Sequence, residues 1–336
     1  MKQIVVVLCF VFCGSIYLNA QDIHYTQYFA GPININPAYA SFYKGTQRYT
    51  LQNKTQWRSV TVPFNTLSAS FDMPIKKRNI KRDLFGGGIS VNNDQAGDSK
   101  FGTTQMNFSF SYIRAFKNYQ YISVGVQPGI AQRKIDYTAL YFDNQWDGYS
   151  YNPALSNNEQ FSKEKFFFFD FSVGLLWTKI KDKNNAIEAG IALSHINKPK
   201  QSLFNNEDIR LDQKFLAHFN FKKEIKENLV LCPGILFMRQ GTYNEIDIGS
   251  LIRYIQEPQE INYLSLFGGI YYRMADAINL IAGMEYKNAT VGISYDINAS
   301  NLFPASHARG GLEIAVIYIV DKSTKTYNKK VPCPIL

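Results

Sequence analysis

The sequence predicts an all-β protein: an antiparallel transmembrane β-barrel of about 14 strands, with an N-terminal segment ahead of the first strand and a short basic C-terminal tail. Three observations predict it. An apolar leader marks the chain for export. Apolar and polar residues alternate with period two over stretches of about 10 residues. Tyr, Phe and Trp gather near the ends of those stretches, where an interfacial girdle belongs. The composition agrees. Of 336 residues, 46% are hydrophobic, 15% are aromatic and only 19% are charged. That much apolar surface excludes a disordered chain, because its burial offsets the entropy of ordering. The Asn, Thr, Ser, Gly and aromatic content also argues against a helical bundle, which favours Ala, Leu, Glu and Lys.

Residues 1–20 read as a secretory signal peptide. Lys2 gives a positive start, Ile4 to Phe12 is an apolar run, and small Ala20 precedes the polar pair Gln21 and Asp22. The run is too short for a membrane anchor. A lipoprotein signal at Cys13 is the weaker rival, because bulky Val11 and Phe12 precede it. Residues 21–46 form a segment placed in the periplasm or in the lumen. Pro32 and Pro37 forbid regular sheet pairing there, and they push Gly31 and Asn36 toward extended or turn geometry. Such a segment is expected to plug the lumen or to dock a periplasmic partner. A disordered lead is the plainer alternative.

Residues 47–320 carry the strands. No later stretch has the about 20 consecutive apolar residues that a helix needs to span a membrane. Barrel strands need only alternate. Met106, Phe108, Phe110 and Tyr112 share one parity, and Gln105, Asn107, Ser109 and Ser111 hold the other. Val291, Ile293, Tyr295 and Ile297 alternate with Thr290, Ser294 and Asp296. Phe215, Ala217, Phe219 and Phe221 alternate with Lys214, His218 and Asn220, with Leu216 breaking the polar face. A helix would scatter these apolar residues around its axis. Strands are expected to start near Gln47, Pro63, Leu84, Thr103, Tyr119, Lys165, Asn184, Asp212, Asn228, Glu245, Ile261, Ala277, Asn288 and Gly311. The longest connection, about Arg133 to Lys163, suits an extracellular loop. A soluble β-sandwich also alternates, but the leader, the strand lengths and the aromatic girdles favour the outer membrane. An even strand count puts both termini on the periplasmic side. The tail 321–336 then offers Lys322, Lys325, Lys329 and Lys330 either to an acidic partner or to solvent.

Other chemistries find little support. The formal net charge is +9, yet an exported chain is a poor nucleic-acid binder. Cys9 and Cys13 leave with the leader, and Cys232 and Cys333 are expected to stay unbridged. The four His lack metal-ligand spacing, so no metal or other cofactor is expected. His218 with Asp212, and Asp296 with Ser294, share strand parity in the lumen, but nothing resembles a nucleophile elbow. Gly86-Gly87-Gly88 lacks the following Lys of a phosphate loop and is read as a strand bend.

The N-terminal block carries a resemblance. It reads Gln21-Asp22-Ile23-His24-Tyr25-Thr26-Gln27-Tyr28-Phe29, then Pro32, then Asn34-Ile35-Asn36-Pro37-Ala38-Tyr39. Arg48, Gln56-Trp57, Pro63-Phe64 and Ser68-Ala69-Ser70-Phe71-Asp72 follow, and Cys333-Pro334 stands near the end. This resembles the PorP/SprF family of type IX secretion system membrane proteins. Ser41 stands where a Gly often follows the Asn-Pro-Ala element, and Ile335-Leu336 stands where an aromatic is usual. The resemblance implies a non-enzymatic outer-membrane barrel of the type IX secretion and gliding system. It further implies a partner: a large secreted adhesin-like protein, whose type IX C-terminal signal domain the barrel receives and holds at the surface. Periplasmic ring or peptidoglycan-linked components are a second class of partner, and outer-membrane lipid a third. Candidate contact residues are Asn34, Asn36, Pro37, Ala38, Tyr39 and Trp57, with the basic cluster Lys76, Lys77, Arg78, Lys81 and Arg82 between the second and third strands. A general porin or small-molecule channel remains the alternative; an open lumen distinguishes it from a plugged one.

Overall fold

The computed structural model describes residues 22–57, 62–75, 83–159, 163–203, 208–256, 264–300 and 309–320. The expected leader at 1–20, the basic cluster Lys76, Lys77, Arg78, Lys81 and Arg82, and the tail 321–336 lie outside the described residues.

Fourteen antiparallel strands close into one ring. They are β1 (Gln47–Gln56), β2 (Phe64–Ile75), β3 (Asp83–Ala96), β4 (Phe101–Ala115), β5 (Gln120–Lys134), β6 (Lys165–Asp182), β7 (Asn185–Ser194), β8 (Lys214–Lys226), β9 (Leu229–Gln240), β10 (Tyr243–Gln256), β11 (Leu264–Arg273), β12 (Ala277–Tyr286), β13 (Ala289–Asn298) and β14 (Arg309–Val320). Each pairs with its neighbours in sequence. β1 also pairs with β14, from Gln47↔Val320 to Gln56↔Gly311, so no edge strand is left to aggregate. The expected starts at Gln47, Lys165 and Ala277 coincide with the observed ones. The others fall within three residues.

Alternation sorts the two faces as expected. Met106, Phe108 and Phe110 of β4 are exposed on the outer face, and Asn107, Ser109 and Ser111 are buried on the inner one. On β8, Phe215 and Phe219 point out while His218 and Asn220 are buried. A sandwich buries its apolar face and wets its polar one. Here the polar face is buried and the apolar face is bare, the arrangement of a barrel in lipid. Among the described residues no helix is long and apolar enough to cross a membrane.

The two ends of the ring differ. Connections 135–164, 195–213 and 299–308 share one end; the short turns 116–119, 183–184, 227–228 and 287–288 share the other. Long loops mark the cell-surface end and short turns the periplasmic end. β1 begins and β14 ends on the periplasmic side. The long loop 135–164 carries two 3-10 turns, Tyr137–Ala139 and Asp143–Gln145, and a bridge between Trp146 and Tyr151.

A ring of this many strands encloses more space than its own side chains fill. Residues 22–46 occupy that space. They form 3-10 turns at Tyr28–Ala30 and Pro37–Tyr39 on either side of a single helical turn, Pro32–Ile35. Each proline stands at the first helical position, where a missing N–H costs nothing. Asn36, ahead of Pro37, is extended (φ −154°, ψ 120°), as its proline neighbour requires. The segment starts at the surface end, where the Asp22 N–H donates to Gln240 Oε1 at 3.0 Å. It leaves at the periplasmic end, where the Thr46 N–H donates to the Val320 carbonyl at 2.8 Å.

The lipid face sets the first test. Phe108 lies mid-strand on β4 and faces outward. Phe108→Arg is expected to cost about 2–4 kcal/mol, read by reversible denaturant unfolding from lipid vesicles, whereas Phe108→Leu should change stability little.

Candidate functional site

The filled lumen is the candidate site, and Asn36 is its hub. Its Oδ1 accepts the Ala38 N–H (2.9 Å), which caps the 3-10 turn. Its Nδ2 donates to the carbonyls of Leu175 on β6 and Ile191 on β7, both at 3.1 Å. One side chain therefore ties the plug to two strands. Glycines make room for it. A Cβ on Gly174 would overlap Asn36 Oδ1, and one on Gly125 would overlap the Pro37–Ala38 peptide. The following carbonyls are met by wall hydroxyls: Ser123 Oγ donates to Ala38 and Ser111 Oγ to Ala40, each at 2.6 Å. Tyr39 stacks on His218 (centroids 5.5 Å apart) and its hydroxyl donates to the Glu188 carboxylate. Asn34 Nδ2 donates to Ser68 Oγ at 2.7 Å.

Toward the periplasm, Arg48 and Asp72 face each other across β1 and β2. Nε and Nη2 of Arg48 donate to the two carboxylate oxygens of Asp72, both at 2.9 Å, and Nη2 also reaches the Tyr39 carbonyl at 3.0 Å. The Ser41 N–H donates to Asp72 Oδ2 at 2.6 Å, and the Tyr43 ring lies 4.6 Å from the guanidinium carbon. Bidentate geometry, with the Ser41 N–H as a third donor to the carboxylate, is what allows such a pair to be buried. It joins three sequence blocks: the Asn-Pro-Ala element, the arginine of β1 and the Ser-Phe-Asp end of β2.

Toward the surface, charges replace apolar packing. The N–H groups of Thr26 and Gln27 donate to the two oxygens of Glu313 on β14, at 2.7 and 3.0 Å. Gln52 Nε2 on β1 donates to the Gln27 carbonyl at 3.1 Å. Lys54 and Arg273 share Asp296 at 3.2 and 3.3 Å, and Arg273 also reaches Asp247 at 3.3 Å and Asp276 at 3.2 Å. The tip of the plug is held just outside the strands. Asp22 Oδ2 lies 2.6 Å from His195 Nε2 and 2.8 Å from Lys214 Nζ, and His195 Nδ1 lies 2.9 Å from Asp170 Oδ1. Burial disfavours the His195 imidazolium, but Asp22 and Asp170 outweigh it and lift the pKa to about 9. Burial likewise opposes the Asp22 charge, yet His195 and Lys214 hold its carboxyl well below the usual range.

Of the residues expected to meet a partner, Asn36, Pro37, Ala38 and Tyr39 are buried against the wall, and Asn34 is half-buried. Trp57 lies apart from them, half-buried just after β1 at the surface end, with φ 64°. Other expectations change. Asp212 precedes β8 and is exposed, so it does not share the lumen face with His218. Asp296 and Ser294 do face the lumen, but Lys54 and Arg273 hold the first and Gln27 Nε2 donates to the second. Gly86 makes room for the plug: a Cβ there would overlap the Ala40 carbonyl. Leu216 joins an apolar patch of the lumen with Tyr28, Val230, Cys232, Leu236 and Tyr271, on which Phe29 and Ile35 of the plug pack. Cys333 lies outside the described residues. Sequence reasoning missed Lys54, His195, Arg273 and Glu313 as plug contacts. For Lys54, Arg273 and Glu313 the available signal was a charge at an inward-facing strand position.

The family described as Type IX secretion system membrane protein PorP/SprF matches residues 18–318. No curated protein matches the chain. Among solved structures, the toluene transporter TbuX of Ralstonia pickettii is similar at 10% identity and a TM-score of 0.50, covering 86% of this chain and 92% of that one. The CymD monoaromatic hydrocarbon channel is similar at 10% identity and a TM-score of 0.52, covering 88% and 94%. The toluene transporter TodX of Pseudomonas putida gives 10% and 0.50, with the same coverage as CymD. At such identity these structures share the barrel fold and nothing more.

Two tests follow from the geometry. Asn36→Ala leaves two buried carbonyls without their donor and is expected to cost about 1–3 kcal/mol of unfolding free energy, with Gly174→Val worse and accompanied by ion conductance in planar bilayers. The second test uses pH. The His195 contribution is complete below its unfolded pKa of 6.5 and is lost as pH rises through about 9; that of Asp22 is present above 3.8 and is lost as pH falls through its lower folded value. A spin label on Ile23→Cys should stay immobile near pH 7 and gain mobility above about pH 9.

Proposed function

The chain belongs to the PorP/SprF family of type IX secretion system membrane proteins, and on that premise we propose that it is a non-enzymatic scaffold that supports secretion of a large adhesin-like protein and anchors it at the cell surface by binding its C-terminal signal domain. The observation that carries this reading is the family match, which spans residues 18–318. The filled lumen supports it. A barrel whose centre is taken up by its own N-terminal segment, held by Asn36, Arg48–Asp72 and Glu313, is built to present rims rather than to pass solutes. A channel role would need that segment to leave.

In this reading the plug residues Asn34, Asn36, Pro37, Ala38 and Tyr39 act on the partner by fixing the shape of the barrel. Trp57 and loop 135–164 supply the surface rim that meets the secreted protein. In the same reading the basic residues Lys76, Lys77, Arg78, Lys81 and Arg82, which follow β2 in the sequence, are offered to acidic faces of ring or peptidoglycan-linked components.

The test is a mild-detergent purification from outer membranes with mass spectrometry of whatever stays bound. A secreted protein with a type IX signal domain, present in stoichiometric amount, is the expected result. Deleting Asn36-Pro37-Ala38 should abolish its retention while the barrel still inserts. A bare wild-type barrel that conducts ions would overturn the scaffold in favour of a channel.

A further inference from the structure

One recess lies away from the lumen. It has a volume of about 490 Å³, sits around the periplasmic turn between β4 and β5, and is lined by Arg114, Phe116, Lys117, Asn118, Gln120 and Ile122 among others. Arg114 has the outward parity of Phe108 and Phe110, and Ile122 is exposed on the neighbouring strand. The recess therefore opens on the lipid face, at the level where the hydrocarbon gives way to headgroups.

We propose that this recess binds the phosphate of an anionic phospholipid in the inner leaflet of the outer membrane, with Arg114 and Lys117 as the cations, Gln120 as a hydrogen-bond donor, and Phe116 and Ile122 against the acyl chain.

The frame is preorganised. Asn118 and Tyr119 both adopt left-handed geometry (φ 60° and 59°), which closes a tight turn. The Phe116 N–H donates to the Gln120 carbonyl at 2.8 Å, and the Ile180 N–H of β6 donates to that of Tyr119 at 2.9 Å. Lys117 is thus presented from a fixed backbone. The Arg114 guanidinium carbon lies 5.9 Å from the Phe116 ring, which holds the charge at the rim. Trp177 Nε1 donates to Gln120 Oε1 at 3.2 Å, occupying the amide oxygen and leaving the N–H groups to a ligand. Trp177 is itself a residue type that seeks the headgroup level. Lys179, paired in register with Gln120 and exposed, adds a third cation beside the recess.

The charge balance favours an anion. Asp83 is the register partner of Arg114 on β3, yet among the described residues no carboxylate forms an ion pair with Arg114, Lys117 or Lys179. The occupant follows from place: the surroundings of this face are lipid, and a cation held there draws a headgroup phosphate.

The test is native mass spectrometry of the full barrel released from nanodiscs holding equal phosphatidylglycerol and phosphatidylcholine. The wild type is expected to retain phosphatidylglycerol in preference. R114Q/K117Q should weaken that retention by about tenfold, while K287Q, on a different periplasmic turn, should not. Both altered side chains are solvent- or lipid-facing, and unchanged heat-modifiable mobility on a gel checks that the variants are folded. Equal retention by R114Q/K117Q and wild type would overturn the site. Equal loss in K287Q would mean diffuse attraction and would overturn it too. Displacement of the lipid by millimolar inorganic phosphate would assign the recess to a free anion instead.

Discussion

Everything in this barrel depends on filling its centre. Fourteen strands are too many for side chains to meet across the lumen, and the inner wall is lined with hydroxyls, amides and charges that need partners. The N-terminal segment supplies many of them. Its backbone is short of regular structure, so its N–H and carbonyl groups remain available to the wall. Glu313 takes two of the N–H groups; Ser111, Ser123 and Arg48 take carbonyls. The two prolines keep the segment from forming a strand of its own, which would spend those groups on sheet pairing.

The two halves of the lumen solve the problem differently. Near the periplasm and the middle, close packing dominates. Glycines at 86, 125 and 174 let the plug backbone touch the wall, and Asn36 spans the gap between two strands. Near the surface, Arg273 and Lys54 stand among Asp247, Asp276 and Asp296. Buried charges of this kind add little net stability, but removing one partner strands the others. That makes the surface half a poor place for sequence drift and a firm seat for Thr26 and Gln27.

Much of the wall was legible in the sequence, because alternation is a local property. β4 shows it residue by residue, and the expected starts of β1, β6 and β12 coincide with the observed ones. The plug was legible as a segment barred from sheet pairing, with the lumen as one of two expected places, but its contacts were not. Its contacts join residues far apart in the chain, such as Thr26 to Glu313 and Asp22 to Lys214, and no short-range pattern encodes them. Leu216 illustrates the limit. Judged along its own strand it is a flaw in the polar face. Judged across the lumen it is part of an apolar seat that β8 shares with β9, β10, β11 and β12. Gly86 meets the same limit: its close approach to the Ala40 carbonyl runs across the lumen, which the strand pattern does not show.

The course of residues 22–46 also constrains how the molecule comes to be. Their first described residue lies at the surface end, and their last joins β1 at the opposite end. Glu313 and Gln52, which grip them, belong to the first and last strands of the ring. A finished ring would have to admit this thread lengthwise, past approaches as close as those at Gly125 and Gly174. The simpler history is a sheet that curls around the thread, with the β1–β14 seam zipping shut last and the thread as its mandrel.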